Sequence, residues 1–244
     1  METFVMPPQP HPYASPSPTG SKADSGSEAP PGLLLDLDGV LVDTRPVMKR
    51  AWHAVQEAHG LGVPFEAYQE HLGRPFGDIM GRLGLANAEE IHRTYTEAST
   101  AAAYLARAFD GITDVLLAVA AAGWSLGVVT SKPLLRATPL LAELGCPFAT
   151  VRGPGEQGRG KPAPDPILLA LIDLGTDPAD ATYVGDMAVD QEAARRAGVP
   201  YIHAGWGYGR PNGPSPVVAE SPRELLHLLG VITPPAPFVE GGLL

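Results

Sequence analysis

An apolar run, Leu33-Leu34-Leu35, passes directly into Asp36-Leu37-Asp38-Gly39, so a segment suited to burial ends in two carboxylates two residues apart. Desolvating a carboxylate costs several kcal/mol unless a metal, a cation or hydrogen-bond donors compensate. The strand period of two starts Asp36 and Asp38 on the same side. Gly39 then lets the chain leave a sheet sharply and lets a ligand approach the backbone. Such a strand belongs inside a sheet, with its carboxyl end at a site of chemistry.

The rest of the chain supplies that sheet. Short apolar runs alternate with helix-period segments, the pattern of parallel strands joined by helical crossovers. Strands are expected at Leu33–Leu37, Ser125–Thr130, Phe148–Val151, Thr182–Gly185 and Val199–His203. Helices are expected at Asp114–Ala122, Pro133–Leu144, Asp165–Leu174 and Val189–Ala197, each followed by a glycine (Gly123, Gly145, Gly175, Gly198) at the usual helix stop. The fold class is therefore α/β, a doubly wound parallel sheet with a Rossmann-like core over residues 32–44 and 111–230, whose ligands bind off the strands' carboxyl ends.

Residues 45–110 break this rhythm. They show helical patterns at Pro46–His59, Phe65–Leu72, Phe76–Leu83 and Ala88–Ala108 and no convincing strand, so a helical cap inserted after the first strand is expected. An insert there emerges at the mouth of the site and is placed to exclude water and read the substrate. Residues 1–31, rich in Pro, Ser and Gly, read as a disordered leader without the pattern of a secretory signal, and residues 231–244 as a loose tail. No apolar run approaches the ~18 residues needed to span a bilayer. A cytoplasmic protein, monomer or homodimer, is expected.

A net charge of −10 without a Lys/Arg cluster disfavours nucleic acid and anionic membranes as partners. The single cysteine, Cys146, excludes an internal disulfide and a cysteine-based zinc site. Gly155–Lys161 has the spacing of a nucleotide phosphate loop, but Pro162 stands where that loop needs a hydroxyl and an amide donor.

Polar residues collect at the expected strand ends: Asp36 and Asp38, Thr130 and Ser131, then Asp186 with Asp190 one helical turn on. Lys161 sits in a proline-fixed loop, Gly160-Lys161-Pro162-Ala163-Pro164, ahead of the fourth strand. Converging carboxylates repel unless a hard cation joins them, and an all-oxygen set with room for water suits Mg²⁺. Thr130, Ser131 and Lys161 then read as donors to a phosphoryl group, with one carboxylate as nucleophile and another as acid/base.

The motifs DLDGVLVDT from Asp36, TSK from Thr130, GKPAPDP from Gly160 and GDMAVD from Gly185 together resemble the haloacid dehalogenase superfamily, specifically its capped, phosphoglycolate-phosphatase-like branch. The segment YQEHLGRPFGDIM is also similar to phosphatases of aminohydroxybenzoate biosynthesis. The resemblance implies a Mg²⁺-dependent phosphatase acting on a small phosphorylated metabolite. By that analogy Asp36 attacks phosphorus to form an aspartyl-phosphate, and Asp38 protonates the leaving oxygen and later activates water. Thr130 and Lys161 stabilise the transferring group. The metal is held by Asp36, the Asp38 carbonyl and Asp186, with Asp190 supporting the site or orienting Lys161. Substrate contacts are expected from Ser131, Gly39 and, in the cap's Gly-Arg-Pro turn, Arg74. An acid at position 38 separates phosphoester chemistry from dehalogenation. A phosphomutase is expected to carry a histidine where this chain has Met48, and a phosphonatase a perturbed cap lysine, for which Lys49 is the sole candidate. A catalytically silent member binding a phosphorylated ligand is the remaining alternative.

Overall fold

The computed structural model describes residues 30–154, 159–213 and 217–231. Strands β1 (Gly32–Leu35), β4 (Ser125–Val129), β5 (Phe148–Arg152), β6 (Ala181–Gly185), β7 (Tyr201–Ala204) and β8 (Val218–Ala219) form one sheet in the order β5-β4-β1-β6-β7-β8. Every pairing in it is parallel. Strand β1 lies inside, with Leu35 level with Val128 of β4 and Val184 of β6.

The leucine triplet shows why the strand is apolar throughout. Leu33 and Leu35 pack into one cluster with Ile112, Val115, Leu116 and Val119 of α5 (Ile112–Ala121), Ala137 and Leu141 of α6 (Leu134–Leu144), and Leu225 of α9 (Glu224–Leu228). Leu34 points the other way, into Ile167, Ala170 and Leu171 of α7 (Asp165–Leu174) and Ala193 and Ala194 of α8 (Ala188–Ala197). Both faces are covered, as a parallel sheet requires.

Helices α1 (Arg45–His59), α2 (Phe65–Gln69), α3 (Phe76–Arg82) and α4 (Ala88–Ala101) build the insert around a separate apolar cluster containing Trp52, Tyr68, Ile79, Met80 and Tyr95. Its entry and exit are tied by an antiparallel ribbon, β2 (Val42–Asp43) with β3 (Arg107–Ala108). This corrects the expectation of a helix running through Ala88–Ala108 with no strand nearby. Helix α4 stops at Ala101, a 3₁₀ turn covers Ala103–Leu105, and the chain then extends. The alanine-rich run has ample helix propensity, but β2 supplies a partner that propensity cannot see. Strands β2, β3 and β8 are two residues each, too short for any period to register. The leader expected at 1–31 and the tail expected at 231–244 lie almost wholly outside the described residues. Among these, no helix is long and apolar enough to cross a membrane.

Candidate active site

The strand register delivers Asp36 to a junction between β1 and β6, where its backbone N–H still donates to Val184 O at 2.9 Å. Its side chain turns off the sheet edge, almost fully buried, with Oδ1 accepting from the Leu37 amide at 2.8 Å and lying 3.0 Å from Lys161 Nζ. Oδ2 carries no hydrogen bond among the described residues. The chain then turns over Leu37 O, which accepts from Leu41 and Val42. Gly39 sits in that turn at φ +85°, where any side chain would collide with the Asp186 carboxylate. The glycine thus serves the close approach of Asp186 to the turn.

Lys161 is the hub of the buried charge. Its ammonium meets Asp190 Oδ1 at 2.7 Å, Asp36 Oδ1 at 3.0 Å, Tyr183 Oη at 3.2 Å and Val129 O at 3.3 Å, with the side chain only 1% exposed. Burial alone would pull its pKa down, but Asp190 and Asp36 hold it well above the ordinary lysine value. Asp36 is pushed up to about 7, first by burial, with Lys161 opposing and Asp190 and Asp38 adding repulsion. Burial, Asp190 and Asp36 push Asp186 well above the carboxylate range.

One carboxylate oxygen from each of Asp36, Asp186 and Asp190 falls within a mutual 4.8 Å. Asp186 Oδ2 accepts from the Tyr208 amide at 2.7 Å, whereas its buried Oδ1 has no hydrogen-bond partner among the described residues. An orphaned, desolvated carboxylate oxygen beside two other acids is costly without a cation, and the all-oxygen donor set fits Mg²⁺. Asp190 differs. Its Oδ1 accepts from Lys161 and from Tyr183 Oη at 3.0 Å, and its Oδ2 from the Met187 amide at 3.0 Å, so both oxygens already orient other groups.

The Asp38 side chain stands outside that trio. Oδ1 accepts from Thr44 Oγ1 at 2.5 Å and lies 3.0 Å from Lys132 Nζ. Thr130 is buried at the end of β4, its Oγ1 accepting from the Lys132 amide at 3.1 Å. Ser131, expected at the substrate, lines the same cavity as Asp36 and Asp38 and donates its hydroxyl to Gly73 O of the insert at 2.6 Å. That turn is docked tightly: Gly73 has φ +82°, and a Cβ there would lie 2.6 Å from Val189 Cγ2 of α8. Arg74 reaches the cavity, but its Nη1 is bonded to Asp78 Oδ2 at 3.3 Å.

Between insert and core lies a cavity of about 360 Å³, with Asp36, Asp38 and Lys132 on the core side and Tyr68, Phe76 and Tyr95 on the other. Three residues of this neighbourhood carry no individual role in the sequence reading. Lys132 directly follows Thr130-Ser131, and its place in a strand-end loop was the available signal. Thr44 closes the DLDGVLVDT segment. Tyr208, in the glycine-rich loop after β7, accepts from the Thr44 amide at 2.7 Å and donates to Asp43 Oδ1 at 2.9 Å. Only the three-dimensional path of that loop reveals the tyrosine's partners.

Comparison with known proteins agrees with this geometry. The family described as haloacid dehalogenase-like hydrolase matches residues 33–204. The chain is 32% identical over 211 residues to N-acetylmuramic acid 6-phosphate phosphatase of Pseudomonas aeruginosa, covering 81% of this chain and 93% of that one. It is also 32% identical over 219 residues to the plasmid-encoded phosphoglycolate phosphatase of Cupriavidus necator, covering 84% and 93%. Among solved structures, CbbY from Rhodobacter sphaeroides, in complex with phosphate, superposes with a TM-score of 0.68 at 25% identity, covering 80% of this chain and 95% of that one.

Proposed function

The chain belongs to the haloacid dehalogenase-like hydrolase family as a phosphatase, and from that premise we propose that it hydrolyses a small phosphorylated metabolite through an aspartyl-phosphate on Asp36, with Mg²⁺ as cofactor. The observation that carries this reading is the pairing of two differently held acids beside one cavity. Among the described residues Asp36 is tethered through Oδ1 alone, leaving Oδ2 without a hydrogen bond. Asp38 is held by Thr44 and Lys132 on the same side of the cavity.

In the first half-reaction an Asp36 oxygen forms the bond to phosphorus as the ester P–O bond breaks, and the Asp38 carboxyl gives its proton to the departing oxygen. In the second, the Asp38 carboxylate takes a proton from water as that water attacks phosphorus, releasing inorganic phosphate and restoring the Asp36 carboxylate. Lys161 balances the charge of Asp36, and Asp190, with both oxygens engaged, holds Lys161 in place. Asp36 and Asp186 with the Asp38 carbonyl would hold the metal, which supplies positive charge to the phosphoryl oxygens. Met48, buried in the insert and lining the cavity, has no proton to relay, which favours hydrolysis over a mutase. The relatives named as phosphatases and the phosphate complex of CbbY support a phosphomonoester substrate.

The test is turnover of p-nitrophenyl phosphate with and without Mg²⁺, in the wild type and in Asp36→Asn. Hydrolysis should need both the metal and the carboxylate. Turnover indifferent to both would refute the reading.

A further inference from the structure

We propose that Arg136 reads the substrate, binding a carboxylate carried on a flat, apolar leaving group that lies against the aromatic wall of the cavity. This deepens the phosphatase reading above and rests on it. Arg136 projects from the first turns of α6, just beyond the strand-end loop that carries Thr130 and Lys132, and lines the cavity half-buried. It belongs to none of the four motifs.

Among the described residues three cations face this cavity, and two are already matched. Lys132 is paired with Asp38 and Arg74 with Asp78. Arg136 has no ion pair among the described residues. Its Nη1 donates to Ser99 Oγ of α4 at 2.9 Å, and its guanidinium lies 5.9 Å from the centre of the Tyr95 ring. Glu89, the cavity's one carboxylate besides Asp36 and Asp38 among the described residues, is exposed and does not pair with it. A half-buried guanidinium has five N–H donors and loses much hydration. Among the described residues a single hydroxyl answers it, so the other donors are available to a ligand.

Charge and shape narrow that ligand. One unmatched cation with forked donors suits a monoanionic carboxylate, whereas a second phosphate, carrying close to two charges, calls for more than one cation. The wall beside Arg136 is made of rings. Phe76 lies 4.6 Å from His92 and 5.3 Å from Tyr95, and Tyr68 lies 5.6 Å from Tyr95, centre to centre. Burial and the Arg136 charge pull the His92 pKa down, so this ring is a neutral face at neutral pH. A cavity of about 360 Å³ exceeds the roughly 150 Å³ that accommodates benzene, leaving space for the phosphoryl group at Asp36.

The experiment compares kcat/KM for 3-carboxyphenyl phosphate, phenyl phosphate and 2-phosphoglycolate, in wild type and Arg136→Gln with Mg²⁺. The readout is the carboxyphenyl-to-phenyl ratio, in which a general loss of activity cancels. The wild-type ratio should be at least about tenfold, the weight of one charge-assisted hydrogen-bonded pair, and should collapse toward one in Arg136→Gln. A wild-type ratio near one, or a high ratio that survives in the variant, overturns the assignment of Arg136. A wild-type preference for 2-phosphoglycolate over the carboxyphenyl ester overturns the ring. Should Arg136→Gln fold poorly, Arg136→Lys, which keeps the charge without the fork, must give a ratio between one and the wild-type value, and a ratio equal to the wild type overturns the assignment. No turnover of any of the three esters refutes the phosphatase reading itself.

Discussion

Replacing Lys161 by methionine keeps a side chain of similar length and removes only the ammonium at the centre of the buried acids. In the wild type that ammonium lies 2.7 Å from Asp190 and 3.0 Å from Asp36, and it also donates to Tyr183 and Val129. Breaking a buried ion pair by removing one partner costs about 3–5 kcal/mol, because the remaining charge stays desolvated. In a protein of this size each kcal/mol moves Tm by about 2–4 °C, so Lys161→Met should lower Tm by roughly 6–20 °C near pH 8 without Mg²⁺. The pH dependence gives the reasoning its sharper edge. Asp36 has its pKa raised to about 7 in the folded protein, against roughly 4 when unfolded. The folded state therefore holds the extra proton, and this group's stabilising contribution is complete below about pH 4 and lost as pH rises through 7. Without Lys161 the acids must protonate or repel, so the variant's deficit should be large at pH 8 and much smaller at pH 5. Thermal unfolding followed by circular dichroism at the two pH values measures it. A Tm loss under about 2 °C at pH 8, or one equal at both pH values, would refute the account of Lys161 as the counter-charge of this cluster.

Mg²⁺ should stabilise the wild type increasingly between pH 5 and 8, as Asp36 and Asp186, both raised first by burial and further by neighbouring carboxylates, Asp190 foremost, give up protons to accept it; a metal-induced Tm shift that does not grow with pH contradicts this. Asp38→Asn should cut hydrolysis of p-nitrophenyl phosphate by about 10²–10⁴ while the Mg²⁺-induced Tm shift persists, since the Asp38 side chain stands apart from the three clustered acids; undiminished turnover rules out its proton-transfer role. Gly73→Ala places a Cβ against Val189 at a position with φ +82°, so KM should rise several-fold as the insert's turn lifts off α8, with Tm reduced by a few degrees; unchanged steady-state kinetics would show that the docked turn does not shape the cavity.

The parallel sheet was readable from the chain because its signals are local. Alternation of apolar runs with helix-period segments is a property of consecutive residues, and the glycines that end α6, α7 and α8 mark their stops within a residue. The carboxylates were readable for the same reason: in Leu33–Asp38 the strand period carries both the buried leucines and the acids that follow them. Where a segment was too short to repeat, as in β2, β3 and β8, nothing local distinguished it from a loop.

Sequence by itself determined that Asp36, Asp38, Lys161 and Asp186 stand at strand ends or in loops of one α/β core, since composition and period constrain which segments can be buried together. Tertiary structure alone decided which charge meets which. Ser131 is bonded to Gly73, 58 residues away, and Lys161 to Asp190, 29 residues away. Lys132 lies on Asp38 while Arg74 is spent on Asp78, leaving Arg136 without a carboxylate partner among the described residues. The reason is physical. A Coulombic contact depends on separation over a few ångströms and on the water excluded from between the groups, and both are set by how the insert seats on the core.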